Sequence, residues 1–254
     1  MGIILGQHVH NACSNEMSHT ALVLGASSDI GIAVCKRLLA VGNRVIAHCC
    51  QGAGRLRDLG ANAAQLKTFT TDFGDTRALT ATIERMRQDI EASDILISAA
   101  AQMRATPFKD VTAEELIEAF RINVLPGLLF MQAVAPGMVR RRFGRIVHLS
   151  SIGVRFRGGA SSFSYALSKH ATEFLPRDIN LWAAENVLVN VLRVGVTDTR
   201  IHKITPGKSL ATRAQLIPIG RAATPDEMAR YIQFYGSSEN SFVTGEVITI
   251  AGGE

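Results

Sequence analysis

Tyr165 and Lys169 stand four positions apart in Ser164-Tyr165-Ala166-Leu167-Ser168-Lys169. On a helix, that spacing puts both side chains on one face. A phenol is thereby set beside an ammonium. The positive charge favours phenolate and draws the tyrosine pKa down from its usual value of about 10. A tyrosine tuned in this way can serve as general acid or base near neutral pH. Two serines, Ser150 and Ser151, end an apolar, strand-like run just upstream. Taken alone, the tyrosine and lysine read more simply as a packed tyrosine beside a surface lysine, and the serines as a strand-end cap.

A second stretch with chemical potential is Gly25-Ala26-Ser27-Ser28-Asp29-Ile30-Gly31. It follows the apolar run Ala21-Leu22-Val23-Leu24 directly and opens a helical pattern. A turn with little side-chain bulk lets the backbone approach a pyrophosphate, whose charge then sits at a helix N-terminus. Gly25 would make the tight turn and Gly31 would allow the close approach. A glycine-rich turn is weak evidence by itself, and its place between a first strand and a first helix strengthens it.

The elements that must position these groups are legible as alternating runs. Strands are expected at 21–24, 44–48, 66–70, 94–98, 145–149, 187–192 and 247–250. A helix is expected from Ile30 to Val41, ended at Gly42. Leu79, Ile83, Met86 and Ile90 form one helical stripe. A helix from about Ala113 to Val139 bends near Pro126, and the Tyr165 helix runs to about Glu185. The strands are continuous apolar runs, the mark of a parallel sheet covered on both faces. Strand–helix alternation makes the fold a doubly wound α/β Rossmann sheet in three layers. One domain is expected over 20–254, preceded by an arm at 1–19. Residues 197–221 break the rhythm and suggest a lid over the substrate.

Composition narrows the function. The chain has 254 residues with 47% hydrophobic, enough for one large core. A net charge of +5 suits anionic small molecules or an acidic protein partner. The basic residues are scattered apart from Arg140-Arg141-Arg142 and aromatics are few, so nucleic acid is not the expected ligand. Cys13, Cys35, Cys49 and Cys50 lack paired metal spacing, and a reduced, cytoplasmic setting without metal is expected. His8, His10 and His19 read as part of a solvated tail. The longest uncharged stretch, Val124 to Val139, carries two prolines and reads as a buried helix, so no membrane span is expected.

Over residues 20–254 the chain resembles a single-domain short-chain dehydrogenase/reductase. The glycine motif of that family, T-G-x-x-x-G-x-G, is here Leu24 to Gly31, with Asp29 in place of the middle glycine. Thr71-Asp72-Phe73 matches its adenine-contacting element. The family's N-N-A-G is Ser98-Ala99-Ala100-Ala101. Asn123, Ser151, Tyr165 and Lys169 match the catalytic tetrad, and Val189 to Gly195 matches V-N-x-x-x-P-G with Val194 for proline. The C-terminal third resembles 3-oxoacyl-carrier-protein reductases.

This resemblance implies reversible hydride transfer between a nicotinamide cofactor and a carbonyl or secondary alcohol. Tyr165 would move the proton, Lys169 would lower its pKa and bond the nicotinamide ribose, Ser151 would hold the carbonyl oxygen and Asn123 would hold a relay water. Cofactor contacts would come from Gly25, Ser27, Ser28, Ile30, Gly31, Cys49, Asp72, Phe73, Ala99, Ala100, Tyr165, Lys169, Gly195, Thr197 and Thr199. NAD-preferring relatives carry an acid where this chain has Cys49, and Arg55 and Arg57 follow, which favours NADP(H) over NAD(H). Arg142 matches a position used against acyl carrier protein, so a carrier-bound substrate is one option among small carbonyls. The resemblance also implies a homotetramer. Asp29, Ser98-Ala99 and Val194 leave room for a rival reading, a cofactor sensor or scaffold without turnover.

Overall fold

The computed structural model describes residues 18–200 and 209–254. Its strands are β1 (Thr20–Leu24), β2 (Arg44–Cys49), β3 (Leu66–Thr70), β4 (Ile95–Ser98), β5 (Gly144–Ser151), β6 (Val187–Val194) and β7 (Val247–Ile250). They form one sheet in the order 3-2-1-4-5-6-7, and every pairing is parallel. Parallel strands need long crossovers, and here these carry helices to both faces. Alternation along the strands splits the core in two. Ala21, Val23, Ile95, Ile97 and Val147 point to one face, against Val34 and Leu38 of α1 (Asp29–Ala40). On that face Met228 and Ile232 of α10 (Pro225–Tyr235) complete the layer. Leu22, Leu24, Leu96, Ile146 and Val189 point to the other face. There they meet Leu79 of α3 (Thr76–Arg85), Ile90 of α4 (Arg87–Glu91), and Phe130 and Met138 of α6 (Leu125–Arg141). Removing each such leucine or phenylalanine from water contributes roughly 1.5–3 kcal/mol. The three-layer fold is the one expected.

Several boundaries differ from expectation. The stripe from Leu79 to Ile90 spans two helices, because the chain leaves helical geometry at Met86 (φ −101°, ψ 12°). The long run from Ala113 is also two helices, α5 (Ala113–Asn123) and α6. Its break lies at Val124 (φ −116°, ψ −58°), and Pro126 sits in the first turn of α6, where a missing N–H costs nothing. As a continuous run it is long and apolar enough to cross a membrane, but more than half of its most apolar stretch is buried in the fold. The Tyr165 helix, α7 (Phe163–Thr172), stops well before Glu185. Pro176 follows and has no N–H to return to the helix, and a separate short helix, α8 (Ile179–Ala183), comes after it. Two short helices, α2 (Ala53–Arg57) and α9 (Leu210–Ala214), and α10 itself were not anticipated. A capping box of Thr224 and Glu227 starts α10.

The packed fold reaches back before Thr20. Ser18 Oγ donates to Gly42 O at 2.7 Å, and the His19 ring stacks on Phe143 with centroids 4.3 Å apart. His19 is thus no part of a solvated tail, while His8 and His10 lie outside the described residues.

β2 and β3 extend the sheet on one side of β1, and β4 resumes on the other. In such sheets, ligands bind outside the strand C-termini at the point of reversal. The C-terminal ends of β1, β4, β5 and β6 therefore mark where a site must form.

Candidate active site

The turn after β1 is built against the end of β4. Gly25 adopts φ +75°, and a Cβ there would lie 2.6 Å from the nitrogen and Cα of Ala100. Gly25 and the small residues after β4 are therefore a matched pair, and Ser98-Ala99-Ala100 preserves the packing without the family's asparagines. A Cβ at Gly31 would lie 2.4 Å from Gly25 O, so α1 can approach its own turn only with glycine there. Ser28 caps α1: its Oγ accepts from Gly31 N at 3.0 Å and donates to Gly25 O at 2.8 Å.

Asp29 takes the first position of α1. Its Oδ1 accepts from Arg55 Nη2 at 2.6 Å, and its Oδ2 accepts from the Arg200 main-chain nitrogen at 2.7 Å. Burial alone would raise this carboxyl, but the Arg200 amide and the two guanidinium groups outweigh it and hold it below the usual aspartate range. The carboxylate is thus a neutralised group, although the family's motif has none at this point.

β5 delivers Ser151 to the C-terminal edge of the sheet, in register with Val194 of β6. Valine in place of proline lets β6 continue to that residue, which also pairs with Ile250. α7 packs on β5, and Tyr165 and Ser151 line the same cleft, with the Ser151 hydroxyl close enough to the phenol to draw its pKa down. Ser151 Oγ also accepts from Gly153 N at 3.1 Å. Lys169 is 2% exposed, and its Nζ donates to Leu149 O at 2.8 Å and lies 5.9 Å from the centre of the Tyr165 ring. Burial pushes the Lys169 ammonium down to about 8. Burial also raises the Tyr165 phenol, and the nearby Ser151 hydroxyl only partly offsets it. The fall expected from the neighbouring ammonium is therefore not what this structure produces: desolvation of the phenolate is the larger effect. His148, deeply buried on β5, has both ring nitrogens unpartnered and is held near 4 by burial, then by the Lys169 charge, so its ring is neutral.

Asn123 does not touch Lys169. Its Nδ2 donates to Gln102 O at 3.0 Å and to Ser168 Oγ at 2.8 Å, and its Oδ1 accepts from Gln102 N at 2.8 Å. Ser168 Oγ in turn donates to Tyr165 O at 2.8 Å. Both amide N–H groups are used, and the side chain ties α5 and the stretch after β4 to α7.

One cleft of about 1060 Å³ joins the two halves. Its wall includes Ser28, Asp29 and Ile30 at one end, Ala99, Ser151, Tyr165 and Lys169 in the middle, and Gly195, Thr197 and Thr199 opposite. Gly25 and Gly31 lie beneath this wall as packing residues, and Ala100 backs Gly25. Ser27 Oγ donates to Gln51 O at 2.8 Å, and Asp72 Oδ1 accepts from Gly74 N at 2.8 Å. Two of the expected cofactor residues have buried side chains. Phe73 is a core residue stacked on His48 at 3.9 Å. The Cys49 side chain is turned inward, 1% exposed, toward Phe69 O and Thr70. Burial of these two side chains leaves the main chain of each residue as the part that can meet a ligand.

Arg200, Met103, Phe156 and Arg213 also line the cleft. Arg213 lies over the Phe156 ring at 5.8 Å and pairs with Glu254. These residues belong to no local motif, and only their convergence reveals them. Among the described residues no cluster could hold a metal ion. The glycine turn, the capped helix end and the length of the cleft fit a dinucleotide with its reactive end toward Tyr165.

A family model described as enoyl-(acyl carrier protein) reductase matches residues 25–254. The chain belongs to the short-chain dehydrogenase/reductase family. It is 30% identical to an acetoacetyl-CoA reductase of Rhizobium meliloti, over 94% of this chain and 99% of that protein. It is also 30% identical to the 3-oxoacyl-[acyl-carrier-protein] reductase FabG of Vibrio harveyi, over 92% and 96%. Among solved structures, a 3-oxoacyl (acyl-carrier-protein) reductase from Agrobacterium tumefaciens with NADP bound superposes with a TM-score of 0.81 at 29% identity, covering 93% of this chain and 94% of that one. The short-chain reductase described here is an NAD(P)-dependent oxidoreductase acting on a carbonyl or alcohol group.

Proposed function

We propose that this enzyme reduces the ketone of a 3-oxoacyl thioester, with NADPH preferred over NADH. The observation that carries the reading is the gathering of Ser151, Tyr165 and Lys169 in one cleft, with Lys169 Nζ 5.9 Å from the centre of the Tyr165 ring, and the reach of that cleft to the head of α1. A bound nicotinamide supplies the hydride. Ser151 and Tyr165 then present two hydroxyls to one carbonyl oxygen. Tyr165 gives its proton to that oxygen as charge develops there, and Ser151 stabilises the charge by hydrogen bonding. A phenol kept protonated by burial suits the reductive direction. Lys169, held by Leu149 O, keeps two further N–H groups for ribose hydroxyls or a relay water.

For the cofactor, no carboxylate stands at the end of β2, and Arg55 lies beside Ser27. A guanidinium there favours a 2′-phosphate. For the substrate, the support is the named activity of the relatives. Arg142 supports carrier docking less well, because it is paired with Glu185 at 3.1 Å and precedes β5 at the end opposite Ser151. The departures at Asp29, Ser98-Ala99 and Val194 are each accommodated locally, which removes the motive for a non-catalytic reading. Residues 209–221 carry Ser209, Thr212 and Arg213 into the cleft wall, in keeping with a lid at 197–221, of which 201–208 lie outside the described residues. We place the enzyme in the cytoplasm, acting as a homotetramer.

The test is direct titration with NADPH and NADH, followed by turnover with acetoacetyl-CoA, a carrier-bound 3-oxoacyl chain and simple ketones. Arg55→Gln is expected to weaken NADPH binding and spare NADH. Equal loss for both, or NADH preference in the wild type, overturns the cofactor assignment, and turnover of simple ketones alone overturns the thioester.

A further inference from the structure

Asp29 ties together two arginines from distant parts of the chain, of which Arg200 lines the cleft with it. Arg55 follows β2, whereas Arg200 follows β6 and lies 171 positions beyond Asp29 along the chain. The carboxylate is fully engaged. Beyond its bonds to Arg55 Nη2 and the Arg200 amide, its Oδ1 lies 3.3 Å from Arg200 Nε. Both guanidinium groups also donate to the Ser27 carbonyl, Arg200 Nη2 at 3.3 Å and Arg55 Nη1 more closely. Two cations thus converge on one anion at the head of a twelve-residue helix. The charges do not cancel, and one positive charge is left facing the cleft.

We propose that Asp29 is an internal counter-anion of the cofactor site, and that Arg200 is a ligand for the cofactor diphosphate which Asp29 surrenders when the cofactor binds. This rests on the reading that a dinucleotide occupies this cleft. The Arg200 side chain is 58% exposed and can exchange one anion for another, while that of Asp29 is 17% exposed and held by the turn. Guanidinium matches phosphate oxygens in a two-pronged geometry, so a diphosphate is a competent replacement for the carboxylate. After the exchange, Asp29 keeps Arg55 and the helix N-terminus, which favours a carboxylate. Its residual charge still opposes the incoming phosphates. Asp29 therefore weakens cofactor binding, and Arg200 recovers part of the loss.

The test uses the full chain as wild type, Asp29→Asn, Arg200→Gln and the double variant. Kd for NADPH and for NADH is read by cofactor fluorescence and calorimetry, with melting temperature as a folding control. Asp29→Asn is expected to tighten both cofactors about fivefold, and Arg200→Gln to weaken both about fivefold, the size of one partly exposed ion pair. Arg200→Gln should cost more in the Asp29→Asn background, where the arginine is already free. If Asp29→Asn fails to fold, Asp29→Gly, which restores the family's residue, is read in its place. Weaker or unchanged binding in the Asp29 variant overturns the counter-anion. Unchanged Kd in Arg200→Gln overturns the diphosphate ligand. A wild type that binds neither cofactor overturns the dinucleotide reading along with it.

Discussion

Burial moves Tyr165 and Lys169 in opposite directions, the phenol up and the ammonium down to about 8. Both shifts favour the neutral form, as desolvation does for any ionisable group. Tyr165 is the proton donor in the proposed reduction, so Tyr165→Phe should abolish turnover and leave NADPH affinity nearly unchanged. Substantial residual kcat in that variant would remove the tyrosine from its role. Lys169 has a linked effect on stability. Its ordinary value is 10.5, so between about pH 8 and 10.5 the unfolded chain binds more protons than the fold. Stability then rises with pH across that window, because the cost of a buried ammonium disappears. Lys169→Met should raise unfolding free energy by roughly 2–3 kcal/mol at pH 7, with an advantage that shrinks toward pH 10. Denaturation of both proteins over that pH range checks it, and a pH-independent difference would contradict the shift.

At the scale of elements, α7 must be fixed on β5 and β6 for Tyr165 to reach Ser151. Glu173, just past the end of α7, does this. It pairs with Arg193 of β6 through both oxygens, at 2.8 and 2.6 Å, and accepts from Ser150 Oγ of β5 at 2.7 Å. Burial would raise this carboxyl, but the Arg193 and Ser150 bonds and the His170 contact hold it below its ordinary 4.5. Its contribution is therefore present above about pH 4.5 and is lost as pH falls through the depressed folded value. Glu173→Gln should cost roughly 2–3 kcal/mol at pH 7 by stranding Arg193, and should flatten the acid limb of the stability profile. Chemical denaturation at pH 7 and pH 3 reads both effects. The family motif passes over Glu173 because its work is tertiary: Ser150 and Arg193 lie 20 or more positions away.

At the scale of the whole molecule, the outer sides of α5 and α7 expose Ile117, Phe120 and Leu167, and Phe174 follows at 85% exposure. Neighbouring apolar groups on adjacent helices suit contact with a second copy of the chain. Leu167→Glu should shift the proposed tetramer to smaller species in sedimentation velocity while far-ultraviolet circular dichroism is unchanged. A wild type that sediments as a monomer would contradict the assembly.

The sequence by itself determined the sheet, its parallel sense and the glycine turn, and it singled out Ser151, Tyr165 and Lys169, which meet in one cleft. Each of these is a local pattern: apolar runs between helical periods, and fixed spacings along one element. It pointed to one helix from Ala113 bent near Pro126, where the fold has two helices parted at Val124. What only the tertiary structure decided depends on groups far apart in sequence. The inward turn of Cys49 and Phe73, the ties of Asn123 to Gln102 and Ser168, the rise rather than fall of the Tyr165 pKa, and the ion pairing of Asp29 all follow from burial and from partners on other elements. Desolvation and ion pairing depend on what surrounds a side chain in space, and residue spacing carries no record of that.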